Sequence, residues 1–296
     1  MWIADRWKEY ELLDASNGER LERWGKYILC RPDPQVIWKT EKRHPAWKKI
    51  NAVYHRSPKG GGKWEFFSLP EEWSISYGLK GGLPELSFRL KPFSFKHTGL
   101  FPEQAVNWDW MTDLISRRIK DQNEEVKILN LFAYTGGATL SCAAAGAHVT
   151  HVDASKGIVE WAKENAHCSR LPEKSFRYLV DDCMKFLNRE IRRGKHYDAI
   201  IMDPPSYGRG PKGEIWKLED SIQELLTLSE KLLSDSPLFF LLNMYTTGLS
   251  SGTLSYLMNI AIASKRSGNA EADEIGIPVT ESSLALPCGC SCRWTP

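Results

Sequence analysis

The chain has no apolar run close to the roughly 20 residues that a membrane-spanning helix needs. Its longest notable one is PLFFLL at 237–242. Its first residues, MWIADRWKEYE, place acids where a secretory signal would carry its apolar segment, so a cytoplasmic protein without a membrane partner is expected. Internal repeats and long low-complexity tracts are absent, and so is any large excess of one charge, the formal net being +2. Cysteine is sparse and unpatterned. Cys30, Cys142, Cys168, Cys183, Cys288, Cys290 and Cys292 make an odd set without framework spacing, which favours reduced thiols over disulfides. C-x-C-x-C at 288–292 lacks the spaced second pair of a zinc site, and no metal is expected.

The supply of apolar side chains, 42% against 26% charged, is ample for a core, so the chain should fold. Its distribution is uneven. Nine of the twelve Trp lie at or before Trp110, and residues 1–110 hold 18 Lys and Arg against 14 acids, while the remainder holds 21 against 23. Short runs in the first part, VIWK (36–39), AVYH (52–55) and WEFFSL (64–69), are separated by Pro and Gly clusters and read as strands. The expected organisation is a β-rich, Trp-rich basic domain over 1–110 and an α/β domain over 111–296.

From residue 125 apolar periodicities alternate between strand and helix as a doubly wound sheet requires. Strands are expected at 126–132, 148–153, 176–182, 197–203 and 238–244, with helices at 138–146, 156–168, 183–194 and 254–263 and a further helical pattern from Ile222 to Leu233. The alternating stretches at 275–294 suit antiparallel edge strands.

A nucleotide-like ligand on such a sheet binds beyond the carboxyl ends of the strands, and the residues there carry the chemistry. The first strand leads into Ala133-Tyr134-Thr135-Gly136-Gly137, where paired glycines permit close backbone approach and a helix N-terminus offers free N–H groups; a plain tight turn is the alternative. The second strand ends in Asp153, suited to ribose hydroxyls or to a helix cap. The third ends in Asp181-Asp182, an adenine contact or surface caps. The fourth ends in Asp203-Pro204-Pro205-Ser206-Tyr207, an acid held on a proline-stiffened turn. A dinucleotide fold would place G-x-G-x-x-G after the first strand, where this chain has YTGGATL.

With LNLFAYTGG (129–137), HVDAS (151–155), DD (181–182), DPPSY (203–207) and FKHTGLFPEQ (95–104), the chain resembles class I S-adenosylmethionine-dependent methyltransferases. More narrowly, it resembles the bacterial family related to large-subunit rRNA (5-methylcytosine and guanine) methyltransferases, over roughly residues 90–250. The resemblance implies a Rossmann-like, mostly parallel sheet with an antiparallel C-terminal edge, preceded by a smaller β-rich domain. It implies S-adenosylmethionine as cofactor and an EC 2.1.1.- activity. The cofactor set it implies is Lys96, Thr98, Gly99, Phe101, Gln104, Phe132, Tyr134, Thr135, Gly136, Gly137, Asp153, Ala154, Ser155, Asp181, Asp182 and Asp203. Asp203, Pro204, Pro205 and Tyr207 become the candidate catalytic residues.

Relatives that methylate cytosine C5 need a Cys after the fifth strand or beside Asp-Pro-Pro. This chain has Asn243-Met244-Tyr245-Thr246-Thr247 after that strand, which favours a nitrogen or oxygen acceptor. Cys288, Cys290 and Cys292, at alternate positions, would share one face of a strand, where a nucleophile or a metal ligand is conceivable and buried thiols are the bland reading. The acceptor is expected to be RNA, above all rRNA. Residues 38–63 carry eight Lys or Arg against the single acid Glu41, interleaved with Trp38, Trp47, Tyr54 and His55. Lys39, Lys42, Arg43, Lys48, Lys49 and Arg56 are the candidate RNA contacts. An RNA-associated factor without catalysis, and transfer to a protein or small molecule, remain the alternatives.

Overall fold

The computed structural model describes residues 1–57, 61–93, 96–209, 215–246 and 248–296. Phe95 and Thr247, and residues 210–214 of the glycine-rich loop after Asp-Pro-Pro, lie outside them.

The N-terminal part contributes β1 (Trp2–Ile3), then β2 (Tyr10–Ser16), β3 (Glu19–Trp24), β4 (Tyr27–Pro32), β5 (Ala52–Arg56) and β6 (Gly62–Phe66), the last five forming one sheet in chain order. A separate hairpin, β7 (Trp73–Tyr77) and β8 (Leu86–Leu90), follows. VIWK, expected as a strand, is not one. Residues 36–39 join no sheet and are pinned over the Asn17–Gly18 turn by two backbone bonds, Gly18 N to Val36 O at 2.9 Å and Asn17 N to Trp38 O at 2.8 Å.

Helix α1 (Ala105–Gln122) precedes the main sheet. Trp108, Met111 and Ile115 recur on its inner face, and Asn123 stops it in a left-handed conformation. The division expected near residue 110 falls within this helix.

The main sheet is built from β9 (Lys127–Leu131), β10 (His148–Asp153), β11 (Phe176–Val180), β12 (Ala199–Met202), β15 (Phe239–Met244), β16 (Asn269–Pro278) and β17 (Ala285–Thr295). A small hairpin, β13 (Tyr207–Arg209) and β14 (Ile215–Lys217), stands after β12. The spatial order is β1-β16-β17-β15-β12-β9-β10-β11, with every pairing parallel except those of β17. Helices α2 (Gly137–Ala144), α3 (Lys156–Cys168), α4 (Cys183–Arg192), α5 (Leu218–Glu230) and α6 (Ser251–Met258) connect the strands. The sequence-based elements from 126 onward thus match this α/β sheet with its antiparallel C-terminal edge. Strand order reverses between β9 and β12, which is where the carboxyl ends open a crevice.

One apolar core runs from β2 and the β7–β8 hairpin through α1 into one face of the main sheet. This is where the early tryptophans go. Trp108 meets Trp7, Tyr77 and Phe88 with ring centroids 6.0, 5.6 and 5.4 Å away, and Trp24 is wholly buried. Polar ties reinforce it, with Arg6 forking onto Asp109 at 2.7 and 2.8 Å and Tyr77 donating to the same carboxylate at 2.9 Å.

All seven cysteines are free. The three near the C-terminus do not share a face. Ile275 pairs with Gly289 and Gly276 with Pro287, leaving Cys288 as the extra residue of a β-bulge. The bulge turns Cys288 toward the core under the N-terminal sheet, while Cys290 and Cys292 pack into the opposite one. Among the described residues no helix is long and apolar enough to cross a membrane.

Candidate active site

The turn after β9 is held by unusual backbone. Phe132 and Tyr134 adopt φ of 54° and 50°, costly for side chains of this size, and Gly136 has φ 92°. The paired glycines have a packing reason beyond the one expected. A Cβ on Gly136 would stand 2.9 Å from Leu140 Cδ1 and 3.2 Å from Ala162 Cβ, and one on Gly137 2.6 Å from Trp108 Cζ2. Both vacancies are filled by protein, so the glycines seat α2 against α1 and α3. A buried polar chain fixes the same helix from below, Asn130 Nδ2 to Thr139 Oγ1 at 2.9 Å and Thr139 Oγ1 to His151 Nδ1 at 2.9 Å.

Asp153 braces this turn. Its Oδ2 accepts from Tyr134 N at 3.0 Å and its Oδ1 from Ser155 N at 2.9 Å. Burial raises its carboxyl above the usual range, against the pull of those two N–H groups. Each oxygen keeps a further acceptor site for a hydroxyl. Ala154 and Ser155 are exposed beside it. At the end of β11 Asp181 pairs with Arg189, and Asp182 caps α4 by its Oδ1 accepting from Lys185 N at 2.9 Å. The backbone N–H of Asp181 also goes to Asp153 O at 3.0 Å. The strand end also offers Val180, 49% exposed, an apolar surface without a charge to mark it in the sequence.

The segment before α1 lies across the turn. Thr135 Oγ1 donates to Gly99 O at 2.5 Å, Phe101 meets Tyr134 at 5.3 Å between ring centroids, and Thr98 Oγ1 is buried without a partner among the described residues. Gly99 has φ 98°, and a Cβ there would drive into the Trp161 ring, which donates to Arg89 O at 2.9 Å. Gly99→Ala is therefore expected to cost about 2–3 kcal/mol and to weaken binding of S-adenosylmethionine more than tenfold by calorimetry. Wild-type affinity in the mutant would exclude this segment from the cofactor site.

Lys96 belongs to a different neighbourhood. Its ammonium donates to Pro32 O at 2.9 Å, and its carbonyl accepts from Arg31 Nη1 at 2.8 Å. Burial, then Arg20, lower it to about 8. Arg31 in turn forks onto Glu22 at 2.6 and 2.7 Å, and Tyr10 donates to Glu22 at 2.8 Å. A wholly buried ion network on the N-terminal sheet thus anchors the segment that crosses the β9 turn.

Asp203 leaves β12 half-buried, followed by a buried Pro204 and an exposed Pro205. No side chain among the described residues hydrogen-bonds its carboxylate. Burial, and then the nearby Glu103, push it up to about 7. Tyr207 stands 51% exposed at the start of β13. Phe132 packs under this hairpin, 5.5 Å from Trp216, whose indole donates to Pro205 O at 2.7 Å.

Two residues at this mouth carried no sequence signal of their own. Tyr245, at the exit of β15, accepts from Gln104 Nε2 at 2.6 Å and faces Phe101 at 5.7 Å. Glu103 is 3% exposed, and its Oε2 has no hydrogen-bond partner among the described residues. Beneath them Asn107, Asn243 and Ser291 form a buried network, Ser291 Oγ donating to Asn243 Oδ1 at 2.7 Å.

Of the basic segment, Lys42 pairs with Glu19 and Arg43 with Glu41. Lys39, Lys48, Lys49 and Arg56 are exposed and, among the described residues, have no ion-pair partner. Trp38 and Trp47 have their indole N–H groups bonded to Ala15 O and Asp14 Oδ2, each at 2.7 Å, and Lys42 covers the Trp47 face at 4.0 Å. The open aromatic surfaces nearby are Phe66 and Phe67, 54% and 59% exposed.

Comparison with known proteins gives the family and the fold. The profile of the family described as S-adenosylmethionine-dependent methyltransferase matches residues 54–249. The SAM-dependent methyltransferase from Agrobacterium tumefaciens superimposes with a TM-score of 0.86 at 35% identity, over 97% of this chain and 90% of that one. A Streptococcus mutans protein described as a SAM-dependent methyltransferase aligns at TM-score 0.73 and 15% identity, over 98% and 76%, a likeness of fold alone. Ribosomal RNA large subunit methyltransferase K/L of Pseudoalteromonas translucida (strain TAC 125) is 30% identical over 151 residues, 50% of this chain and 20% of that protein. The chain therefore spans a fifth of that relative's length.

Proposed function

The chain belongs to the S-adenosylmethionine-dependent methyltransferase family, and from that premise we propose that it methylates a base of ribosomal RNA, with Asp203 at the acceptor. The observation that carries the site is a half-buried carboxylate at the reversal of strand order, with no hydrogen-bond partner among the described residues and a proton affinity near neutrality. The relatives named ribosomal RNA large subunit methyltransferases support rRNA as the acceptor, and the exposed cations Lys39, Lys48, Lys49 and Arg56 supply a surface for its phosphates. The N-terminal five-stranded sheet is, on this reading, the RNA-facing module.

The residues present fit the cofactor. Asp153 retains acceptor sites for ribose hydroxyls, Val180 offers an apolar surface to an adenine ring, and Thr98 Oγ1 and Glu103 Oε2 are buried polar atoms awaiting partners. When bound, the cofactor supplies an electrophilic methyl group on a sulfonium. Asp203 then orients an acceptor N–H and takes its proton as nitrogen becomes positive. The rate of transfer should accordingly rise with pH through about 7, where the Asp203 carboxyl ionises.

Nucleoside analysis of rRNA from cells lacking the chain tests the proposal. One methylated nucleoside should be missing and should return when the purified chain and S-adenosylmethionine are added. An unchanged nucleoside profile would exclude rRNA. Joint replacement of Lys48, Lys49 and Arg56 by Ala should raise KM for RNA at least several-fold at low salt and leave a shallower salt dependence than the wild type has, without altering cofactor affinity. An unchanged KM would move the RNA surface elsewhere.

A further inference from the structure

We propose that Phe66 and Phe93, with Trp64 between them, form a stacking track that holds the unpaired nucleotides beside the target base while that base enters the site at Asp203. The inference rests on RNA being the acceptor. Strands β5 and β6 pair Ala52 with Phe66, Tyr54 with Trp64 and Arg56 with Gly62, so these residues share one face of the hairpin. Ala52 and Tyr54 are buried there, and the rings of Trp64 and Phe66 stack with planes 17° apart and centroids 6.2 Å apart. Tyr54 braces the Trp64 ring edge-on at 5.4 Å, and Gly62 leaves room for it, since a Cβ there would stand 2.7 Å from Tyr54 Cε1. The stack is therefore held in place by the fold, and it ends on Phe66, which is 54% exposed. A base laid on Phe66 continues it.

The row continues toward the active site. Trp64 Nε1 donates to Phe93 O at 3.3 Å, and the Phe93 ring, 39% exposed, meets Trp161 at 5.9 Å. Phe93 N donates to His97 O at 2.9 Å, the His97 ring lies 5.5 Å from Phe101, and Phe101 lies 5.7 Å from Tyr245. An unbroken series of contacts thus links the outer edge of the N-terminal sheet to the mouth at Tyr245.

Cations stand at both ends of the stack, and the acid of β6 turns away from it. Asn51 O accepts from Phe67 N at 3.0 Å and from Ser68 N at 3.2 Å, which brings the exposed Lys48 and Lys49, just upstream of Asn51, to the Phe66 end. Arg56 stands at the other end, opposite Gly62. Glu65 lies on the opposite face, where its carboxylate bonds His55 Nε2 at 2.7 Å. Rings flanked by cations suit single-stranded nucleic acid, because every base has a face to stack and every link carries a phosphate. A duplex keeps its base faces covered, so the track selects unpaired segments.

The test uses the full chain and single-stranded RNA of about ten nucleotides carrying 2-aminopurine, whose fluorescence falls when the base stacks on an aromatic ring. The wild type should quench the probe. Phe66→Ala should lose most of the quenching and bind roughly tenfold more weakly, with Phe66→Leu no better and Phe66→Tyr close to the wild type. The salt dependence of binding should be the same in Phe66→Ala as in the wild type, since no phosphate contact is lost. Wild-type quenching and affinity in folded Phe66→Ala or Phe66→Leu overturns the proposal, and so does binding of the probe by the wild type without quenching. A folded wild type that binds no RNA at all would instead overturn the reading of RNA as acceptor, and the track with it.

Discussion

Asp203→Asn is expected to slow methyl transfer by about a hundred- to ten-thousand-fold, while affinity for S-adenosylmethionine stays within a few fold. The amide keeps the shape of the side chain on its Pro204-Pro205 turn and can still face an amine, but it cannot take a proton at pH 7. Rate and binding therefore separate, as for an interaction made mainly in the transition state. The same substitution has a second, opposite readout. The folded state holds the Asp203 proton more tightly than the unfolded chain does, so stability is unaffected below the unfolded carboxyl range and is lost as pH rises through about 7. Asp203→Asn removes that penalty. It should stabilise the cofactor-free protein by about 2 kcal/mol at pH 8 and have little effect at pH 4, read by thermal unfolding. Destabilisation at pH 8 would show that the carboxylate has a partner the fold depends on.

Glu22→Gln should have the largest effect on the fold. Glu22 is completely buried between Arg31, Arg20 and Tyr10, and its loss of charge leaves the buried Arg31 guanidinium without a carboxylate and Arg20 with Asp33 as its remaining one. The expected cost at pH 7 is about 3–5 kcal/mol, the range for breaking a buried pair from one side. Burial alone would raise the Glu22 carboxyl, but Arg20 and Arg31 hold it down at about 2. Its stabilising contribution is therefore present above the unfolded carboxyl range and is lost as pH falls through about 2. The difference between wild type and mutant should shrink in acid for that reason. Because Arg31 also bonds Lys96 O at 2.8 Å, the mutant should bind S-adenosylmethionine more weakly than its remaining folded fraction explains. Equal stability at pH 7 would mean that this network does not organise the N-terminal sheet.

The main sheet was readable from residue 126 onward because its strands are continuous apolar runs and its helices keep one apolar face. The strand 148–153 and the helix 156–168 end where the sequence pattern ends. Helix α1 was not expected although Trp108, Met111 and Ile115 have helical spacing, because the tryptophan-rich composition up to Trp110 assigns its first turns to a β-rich domain. The glycine pair was located, but its packing reason depends on Trp108 and Ala162, which only the fold brings there. For Cys288, alternation of side chains along a strand failed because one bulge residue reverses the face. Lys96, Asp181 and Asp182 stand in the segments the motifs mark, while their partners Pro32, Arg189 and Lys185 are supplied by the fold. Tyr245 needed the third dimension altogether, since nothing in TGLFPEQ or NMYTT says that Gln104 and Tyr245 meet.

Transfer of tritium from methyl-labelled S-adenosylmethionine into protein-free large-subunit rRNA, followed by digestion to nucleosides, tests the central claim most directly. One labelled nucleoside should form with the wild-type chain, and almost none with an Asp203→Asn protein that still binds the cofactor. Unlabelled RNA from a folded, cofactor-binding wild type, or undiminished label with Asp203→Asn, would contradict it.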